Sequence, residues 1–413
     1  MHSLKITGSK SESNRALILN SKFRIQNSEL KRGNFELINL SESDDTLIIK
    51  DAIGKQTAEI NCKHSGAAIR FLAAHFASIP GADVVLTGSS RLKERPIKEL
   101  LDALKKLGAD IQYLEKEGFA PIAIKGNNLV CNDFIELQAN ISSQFITALL
   151  LISNRIKNGL KLRLTSQVIS ESYVRMTLKM LTDFGIEYTQ GGNEIIVFEK
   201  FEDQEKSNTQ NFKATEYIIE SDWSSASYWY SMVSLGLKKI ELSAFKENSL
   251  QGDAIVAIWM NNWNVKTTFN GDGKILLENT GAFNPKDEVL DFINCPDLAQ
   301  TIVCLFAFHK KNLKFKGVES LKIKESNRIE ALQLELKKIN AKIIAHADHY
   351  ELVADAVQIP EHLQIKTYQD HRMAMSFAPL ALITKIEFDN PSVVSKSYPG
   401  FFDDLNRVII FRD

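Results

Sequence analysis

Residues 142–153 read SSQFITALLLIS, two serines and a glutamine followed directly by an apolar run. A helix with one solvent-exposed face would have polar residues at regular intervals, and this apolar run has almost none, so the pattern predicts a helix that is buried on nearly all sides. Six such helices indicate an internal repeat. The other five stretches are SKSESNRALILNS from Ser9, KHSGAAIRFLAAHFA from Lys63, SDWSSASYWYSMVSL from Ser221, PDLAQTIVCLFAFH from Pro296 and DHRMAMSFAPLALIT from Asp370.

A second pattern lies between these copies, an amphipathic helix that leads through a turn into a short strand. In IKELLDALKKLGADI, from Ile97, the apolar residues follow a spacing of three and four, and Gly108 is placed to end the helix. Similar stretches begin at Val174, Gly252 and Arg328, and a looser one begins at Thr46. Six modules of two helices and several strands predict an α/β (α+β) protein with two domains of three modules each.

The composition limits the class of protein. The chain has 50 Lys and Arg against 51 Asp and Glu, so it carries no global positive field that would attract nucleic acid or anionic lipid. No apolar run approaches the ~20 residues of a membrane span, and MHSLKITGSK lacks a signal-type apolar segment. We therefore expect a cytoplasmic protein. The four cysteines form no C-x-x-C pair, which indicates neither a zinc site nor disulfides.

The polar residues of the apolar helices lie at their N-terminal ends. Unpaired backbone N–H groups and the helix dipole make such ends suitable for anions, so six of them that met between two domains would form an anion site. Helix capping alone is the competing explanation, because Ser and Asp are preferred caps. Capping does not account for Lys10, Arg15, Arg70 and Arg372 beside the caps, which favours the anion site.

Seven stretches, in order along the chain, together resemble the 5-enolpyruvylshikimate-3-phosphate (EPSP) synthase family. They are SKSESNRAL (9–17), LKERPIKEL (92–100), SSQFITALL (142–150), PDLAQTI (296–302), IKESNRI (323–329), DHRMAM (370–375) and SKSYPGFF (395–402). The resemblance implies a two-domain inside-out α/β barrel, each domain with three βαβαββ repeats around buried parallel helices. It implies one domain from 1–8 plus 220–413, a second from 9–219, and an active site in the cleft between them.

The resemblance also implies a reaction. Members of this family transfer the carboxyvinyl (enolpyruvyl) group of phosphoenolpyruvate to the 5-hydroxyl of shikimate 3-phosphate through a tetrahedral intermediate and release phosphate, a step of aromatic amino acid (chorismate) biosynthesis. The implied partners are these two small molecules, with no metal, organic cofactor, nucleic acid or membrane, and the implied state is a monomer. Glyphosate is the family's inhibitor at the phosphoenolpyruvate site.

Residue by residue, the resemblance assigns three overlapping sets. The set for shikimate 3-phosphate is Lys10, Ser11, Arg15, Ser142, Ser143, Gln144, Ser170, Tyr173, Asp297 and Lys324. The set for phosphoenolpyruvate is Lys10, Gly66, Arg95, Gln144, Arg328, Arg372 and Lys396. The catalytic set is Lys10, Asp297, Glu325, Lys396 and His371. Several Arg and Lys suit a site for two phosphates and two carboxylates.

The two carboxylates fit the proton transfers of this reaction, which needs a base for the 5-hydroxyl and an acid for the methylene carbon. Which group performs which transfer stays open. Each carboxylate also has a structural alternative: Glu325 as a first-turn acid of a helix that begins near Asn327, and Asp297 as an N-cap. His371 is the weaker catalytic candidate, because a structural role explains it as well.

The sequence departs from the family pattern at four places. His64, Ser65, Gly66 and Ala67 stand where the family has N-A-G-T, which keeps the glycine and changes the polarity around it. Ser320 stands at a usual asparagine, and Thr7 replaces a common proline at the end of a short N-terminal arm. The polar stretch 201–213 predicts a flexible linker.

Three alternative functions follow from related folds. A UDP-N-acetylglucosamine enolpyruvyl transferase would open with G-S-K-N-A and carry a loop cysteine before an R-P pair, and LTGSSRLKERP (86–96) has none. An RNA 3′-phosphate cyclase would need a catalytic histidine and a basic patch. A non-catalytic phosphometabolite-binding protein would explain the departures, but Asp297 and Glu325 would then weaken anion binding.

Overall fold

The computed structural model describes residues 2–21, 35–55, 57–199, 216–286 and 289–410. The linker predicted at 201–213 lies outside these residues. The chain divides into two compact units: unit 1 contains Met1–Ser9, Ser41–Ser43 and Glu220–Asp413, and unit 2 contains Lys10–Leu40 and Asp44–Ile219. The inclusion of Ser41–Ser43 in unit 1 has no counterpart in the sequence-based domain limits.

Helices and strands alternate along most of the chain. Up to residue 218 the elements are β1 His2–Leu4, α1 Lys10–Asn20, β2 Glu36–Ile38, α2 Asp44–Ala52, β3 Thr57–Asn61, α3 Gly66–Ala77, β4 Asp83–Thr87, α4 Ser90–Lys93, α5 Lys98–Lys106, β5 Asp110–Tyr113, β6 Ile122–Lys125, β7 Ile135–Leu137, α6 Ser143–Ile152, β8 Leu160–Leu164, α7 Glu171–Asp183, β9 Tyr188–Gly191, β10 Glu194–Val197 and β11 Glu216–Ile218. From residue 220 they are α8 Trp223–Ser234, β12 Lys239–Ser243, α9 Ile255–Trp263, β13 Val265–Phe269, β14 Lys274–Asn279, β15 Val289–Asp291, α10 Ala299–Phe308, β16 Leu313–Lys316, α11 Arg328–Leu336, β17 Lys342–Ala345, β18 Tyr350–Val353, β19 His362–Ile365, α12 His371–Phe377, β20 Lys385–Phe388 and α13 Phe401–Ile410.

Four sheets share one plan. In the order β3-β4-β6-β5, the first pair is parallel and the other two pairs are antiparallel. The orders β7-β8-β10-β9, β15-β16-β18-β17 and β1-β12-β14-β13 repeat it. The apolar helix connects the parallel pair, and the amphipathic helix leads into the hairpin, which is the predicted βαβαββ module. In the sheet with β1, residues 10–219 separate the first strand from its helix.

The third module of each unit differs from this plan. In the described part of the chain it has two parallel strands, β19 with β20 in unit 1 and β2 with β11 in unit 2. After β20 the chain forms α13, which matches the amphipathic helix of the plan because Phe401, Leu405 and Val408 recur at helical spacing and are buried. Within the described residues no hairpin accompanies it.

The apolar helices form the interior of their units, as predicted. Every residue of α8, α10 and α12 is buried, and α10 contacts both of the other two. In unit 2, α1, α3 and α6 contact each other and bury most of their residues. Within the described ranges, no helix has the length and apolar character that crossing a membrane requires.

The helix N-termini are fixed by short polar side chains. Ser65 caps α3 by accepting from the Ala68 N–H, Asp222 caps α8 through the Ser225 N–H, and Asp370 caps α12 through the Arg372 N–H. Capping is therefore one role of these residues. The basic residues beside the caps have other contacts, which define the candidate site.

Candidate active site

In unit 1, the guanidinium of Arg328 lies buried at the start of α11 among three carboxylates. Its Nε donates to Asp370 Oδ2 at 2.8 Å, its Nη1 to Asp297 Oδ1 at 3.0 Å, and its Nη2 to Glu325 Oε2 at 2.9 Å. Burial alone would lower the pKa of Arg328, but the three carboxylates outweigh burial and raise it. Arg328 therefore stays charged and holds the three acids in fixed positions.

Asp297 lies between two arginines. Its Oδ2 is 2.8 Å from Nη2 of Arg372, while its Oδ1 accepts from Arg328. Arg372 also donates to the Asp297 carbonyl at 3.2 Å, to the Tyr228 hydroxyl at 3.4 Å and to Ser224 Oγ at 3.4 Å. The Asp297 side chain keeps 20% of its surface exposed, whereas that of Arg328 keeps 2%, so Asp297 is the member of this pair that a substrate can reach.

Lys396 and Glu325 complete the unit 1 cluster, which we define as Asp297, Glu325, Arg328, Asp370, Arg372 and Lys396. Lys396 ends a 3₁₀ helix and places its Nζ 2.5 Å from Glu325 Oε1. Glu325 thus bridges Lys396 and Arg328. His371 is fully buried beside this cluster, with Nδ1 3.7 Å from Asp370 Oδ1.

The structural alternatives for the two acids are wrong. Helix α11 begins at Arg328 with Asn327 as its cap, so Glu325 precedes the helix, and the first-turn acid is Glu330. Asp297 lies inside the 3₁₀ helix Pro296–Leu298, and the residue before α10 makes no side-chain cap. Asn327 caps α11 because the oxygen of its short side-chain amide accepts a hydrogen bond from the Glu330 N–H.

In unit 2, Arg15 is a buried cation held by neutral groups. Its guanidinium donates to Thr177 Oγ1 at 2.9 Å and to the Ser11 carbonyl at 2.7 Å, with longer contacts to Thr147 and the Tyr173 carbonyl. Burial lowers the pKa of Arg15 to about 10, which still leaves the side chain charged at neutral pH. Glu12 is the one carboxylate whose charge opposes this lowering, and the described hydrogen-bond acceptors of Arg15 are all neutral. A buried positive charge that donates only to neutral acceptors favours a further anion nearby.

Gly66 and Arg95 lie in contact at the N-terminus of α3. A Cβ atom added to Gly66 would lie 2.7 Å from three atoms of the Arg95 guanidinium, closer than real Cβ contacts. In the described part of the chain, Arg95 Nη1 is buried without a hydrogen-bond partner. The glycine therefore lets an arginine fork lie directly over a helix N-terminus, a combination that suits a phosphate or carboxylate.

The remaining predicted residues of unit 2 lie at other helix starts. Ser142 caps α6, Ser143 and Gln144 form its first turn, and Gln144 Oε1 accepts from Arg70 at 2.5 Å. Lys10 begins α1 and lies 3.5 Å from Asp45. Ser11, Ser170 and Tyr173 lie in or just before the first turns of α1 and α7, where Ser170 has a left-handed φ of 53°. Ser320, one of the departures from the family pattern, lies in the 3₁₀ helix Glu319–Ile323, and Lys324 directly follows that helix.

Two contacts of the site were missed from the sequence. Asp253 reaches the unit 1 cluster through Ser224, which donates to Asp253 Oδ2 and accepts from Arg372. Arg70 was noted only as a charge beside a cap, and the structure gives it a direct bond to Gln144. The stretch SLQGDA has no periodicity that would mark Asp253. Within the described residues no group of His, Cys, Asp and Glu is arranged to hold a metal ion.

Comparisons with known proteins agree with the motifs. A family model described as EPSP synthase (3-phosphoshikimate 1-carboxyvinyltransferase) matches residues 30–405. A 3-phosphoshikimate 1-carboxyvinyltransferase of Bacteroides fragilis (strain YCH46) is 39% identical over 409 residues, which cover 98% of this chain and 94% of that protein. The chain belongs to the EPSP synthase family. A relative of the same name from Pasteurella multocida (strain Pm70) is 32% identical and covers 98% of this chain and 94% of its own length.

A solved structure also supports the fold of this EPSP synthase family member. EPSP synthase from Acinetobacter baumannii has a TM-score of 0.74 to this chain and covers 98% of it and 95% of its own length, at 20% identity. The inside-out α/β fold predicted from the sequence is confirmed. Family membership also favours shikimate 3-phosphate over UDP-N-acetylglucosamine as the acceptor.

Proposed function

We propose that the protein is a 3-phosphoshikimate 1-carboxyvinyltransferase, which transfers the carboxyvinyl group of phosphoenolpyruvate to the 5-hydroxyl of shikimate 3-phosphate and releases phosphate. The observation that carries this proposal is the position of Asp297, a partly exposed carboxylate between Arg328 and Arg372. Arg372 provides positive charge for an anionic substrate, Arg328 fixes the acid that lies between the two arginines, and that acid provides a proton acceptor at the same place.

The unit 1 cluster supplies groups for both proton movements. In the first step the 5-hydroxyl oxygen attacks C2 of phosphoenolpyruvate, the hydroxyl loses its proton, and C3 gains one. In the second step C3 loses a proton and the phosphate leaves with its bonding electron pair. Asp297 and Glu325 are the proposed proton carriers, with Lys396 in contact with Glu325 and able to share its proton. Lys10 and His371 remain candidates for the same proton transfers.

Arg328 and Arg372 are proposed to hold phosphoenolpyruvate, with Lys396 beside them. Arg328 is saturated by three carboxylates, so its main effect is to fix Asp297 and Glu325. The described contacts of Arg372 are one carboxylate, a carbonyl and two hydroxyls, of which the carbonyl and hydroxyl contacts are 3.2–3.4 Å long. Arg372 is therefore better placed to exchange a contact for a substrate oxygen.

Unit 2 is proposed to hold most of shikimate 3-phosphate. The phosphate and carboxylate of this substrate suit the helix start at Ser142–Gln144 and the buried charge of Arg15. The Cζ atom of Arg15 lies 5.6 Å from the centre of the Tyr173 ring. Arg95 over Gly66 is proposed to take an anionic group of phosphoenolpyruvate, and Lys10 to serve both substrates. The location of the complete site between the two domains stays a prediction.

Other parts of the proposal rest on the resemblance. The protein is proposed to act as a cytoplasmic monomer, with glyphosate as a ligand of its phosphoenolpyruvate site. Sedimentation of the purified protein checks the oligomeric state. Competition between glyphosate and phosphoenolpyruvate checks the inhibitor site, where His64 bonds to Ser89 at 2.8 Å in place of the family's asparagine.

Phosphate release tests the function directly. The purified protein is supplied with phosphoenolpyruvate and either shikimate 3-phosphate or UDP-N-acetylglucosamine. We expect release only with shikimate 3-phosphate, and a loss of turnover of about 10²-fold or more in Asp297→Asn, because a positioned acid or base contributes about that factor.

The matched control makes the same chemical change elsewhere. Asp348→Asn removes a carboxylate that is almost fully exposed and should leave turnover near wild type. Shikimate 3-phosphate binding without any phosphate release would contradict the proposal and support the phosphometabolite-binding alternative. Normal turnover in Asp297→Asn would show that Asp297 is not catalytic.

A further inference from the structure

Asp253 is a buried acid that no step of the proposed reaction uses. It lies in the 3₁₀ turn Gly252–Ala254, just before α9, and is 4% exposed. Ser224 Oγ donates to its Oδ2, while its Oδ1 is buried without a hydrogen-bond partner in the described part of the chain. A carboxyl in such a place costs stability unless it has a role or is neutral.

Ser224 connects this acid to Arg372. The Ser224 hydroxyl has one hydrogen, and it donates this hydrogen in a hydrogen bond to Asp253 Oδ2. A lone pair of the Ser224 Oγ therefore faces Arg372 Nη2, which lies 3.4 Å away. Arg372 reaches Asp297 with the same nitrogen at 2.8 Å. The acid therefore sets the direction of the hydroxyl dipole that Arg372 meets.

The charges around Asp253 come from three elements. Asp297 precedes α10, Asp222 caps α8, and Arg372 lies in α12. Burial and the charge of Asp297 raise the pKa of Asp253 to about 7, with Asp222 adding to the rise and with Arg372 and Ser224 opposing it. The neighbouring thiol and phenol are those of Cys295 and Tyr228, whose pKa values burial raises, so both are neutral near pH 7.

We propose that Asp253 is a positioning residue for Arg372, which it orients through the Ser224 hydroxyl, and that its negative charge opposes the binding of an anionic substrate at Arg372. This inference rests on the proposed function. Neutral Asp253 adds no negative charge near Arg372, whereas ionised Asp253 cancels a further part of the positive charge that Arg372 presents to phosphoenolpyruvate. Binding of the anion in turn favours the protonated acid, so substrate binding and proton uptake are coupled.

The test is the dependence of KM for phosphoenolpyruvate on pH, with kcat measured in parallel. Between pH 7 and 9 the substrate phosphate is almost fully ionised, since its second pKa is about 6. In wild type we expect KM to rise about fivefold over this range, which corresponds to a substrate-induced rise of about one in an Asp253 pKa of about 7. Asp253→Asn should have a flat KM over the same range, with kcat following its wild-type pH profile.

A second variant tests the connection itself. The Ser224 hydrogen bond lowers the Asp253 pKa, so Ser224→Ala should move the rise in KM to higher pH. The matched control is Glu220→Gln, another buried acid with a raised pKa, whose described partners are Trp223 Nε1, Ser249, Gln251 and the Lys246 N–H. This control should keep the wild-type KM profile.

The outcomes separate this inference from the proposed function. Phosphoenolpyruvate binding is also followed by tryptophan fluorescence, since Trp223 is adjacent to Ser224 and the readout needs no turnover. Turnover in wild type with a KM that does not change between pH 7 and 9, or with the same rise in Asp253→Asn, overturns the inference and leaves the function intact. Absence of turnover overturns the function, while a pH-dependent affinity that Asp253→Asn removes still supports the role of Asp253.

Discussion

At the scale of single residues, the contact of Gly66 with Arg95 gives a sharp prediction. Gly66→Ala would place a methyl group 2.7 Å from the guanidinium, so the arginine must move. The side chain is flexible and can move without disturbing the backbone, so the thermal midpoint should change little. We expect KM for phosphoenolpyruvate to rise about tenfold or more, the cost of one charge-assisted hydrogen bond, in steady-state assays of phosphate release.

Gly54 provides the control for this change. An alanine Cβ at Gly54 meets no atom within 4 Å, and the residue lies in the same unit just after α2. Gly54→Ala should therefore leave KM unchanged. If KM for phosphoenolpyruvate is also unchanged in Gly66→Ala, the assignment of Arg95 to the phosphoenolpyruvate site is wrong.

Single residues also show what the sequence could and could not predict. Arg328, Glu325 and Asp297 lie in short motifs, and the structure brings all three together. Asp253 was not predicted because the two hydrogen bonds that connect it to Arg372 depend on folding: Ser224 is 29 residues from Asp253, and Arg372 is 148 residues from Ser224. No local pattern encodes a hydrogen bond between such distant residues.

At the scale of elements, the turn before α12 holds two successive residues in a left-handed conformation. Tyr368 has a φ of 55° and Gln369 a φ of 57°, and each such residue costs about 1 kcal/mol or more. The turn is held by the Tyr368 hydroxyl on buried Glu335 and by two bonds from Thr367 to Asp389. By fixing the turn, these hydrogen bonds hold Asp370 where it caps α12 and accepts from Arg328.

Replacing one strained residue should stabilise the protein. Gln369→Gly removes the Cβ that disfavours a positive φ, and we expect the free energy of unfolding to rise by about 1 kcal/mol in urea titrations. Gln364→Gly makes the same change inside strand β19, where glycine should cost about 0.5–1 kcal/mol. Equal losses in the two variants would show that the turn stores no strain.

The elements themselves were largely predictable, because their signals are local. The spacing from Ile97 to Leu107 predicted α5, which runs from Lys98 to Lys106, and Gly108 takes the expected positive φ of 101°. The two-stranded third modules were not predicted. The repeat was inferred from its helices, and the pairing of strands depends on partners distant in sequence.

At the scale of the whole molecule, the tryptophans report on one unit only. The chain has four, Trp223, Trp229, Trp259 and Trp263, and all lie in unit 1. Most residues proposed for shikimate 3-phosphate lie in unit 2. At a concentration 100 times its Kd, a ligand stabilises the folded state that binds it by about 2.7 kcal/mol.

Shikimate 3-phosphate should therefore raise the thermal midpoint seen by circular dichroism more than the midpoint seen by tryptophan fluorescence. For a unit of this size the expected rise is about 5–10 °C, since 1 kcal/mol corresponds to about 2–4 °C. Inorganic phosphate at the same concentration is the control, because it lacks the carboxylate and the ring hydroxyls and should shift neither midpoint. Equal shifts in both signals would show that the two units unfold as one cooperative system. A shift in the fluorescence midpoint alone would contradict the assignment of Arg15 and Ser142–Gln144 to shikimate 3-phosphate.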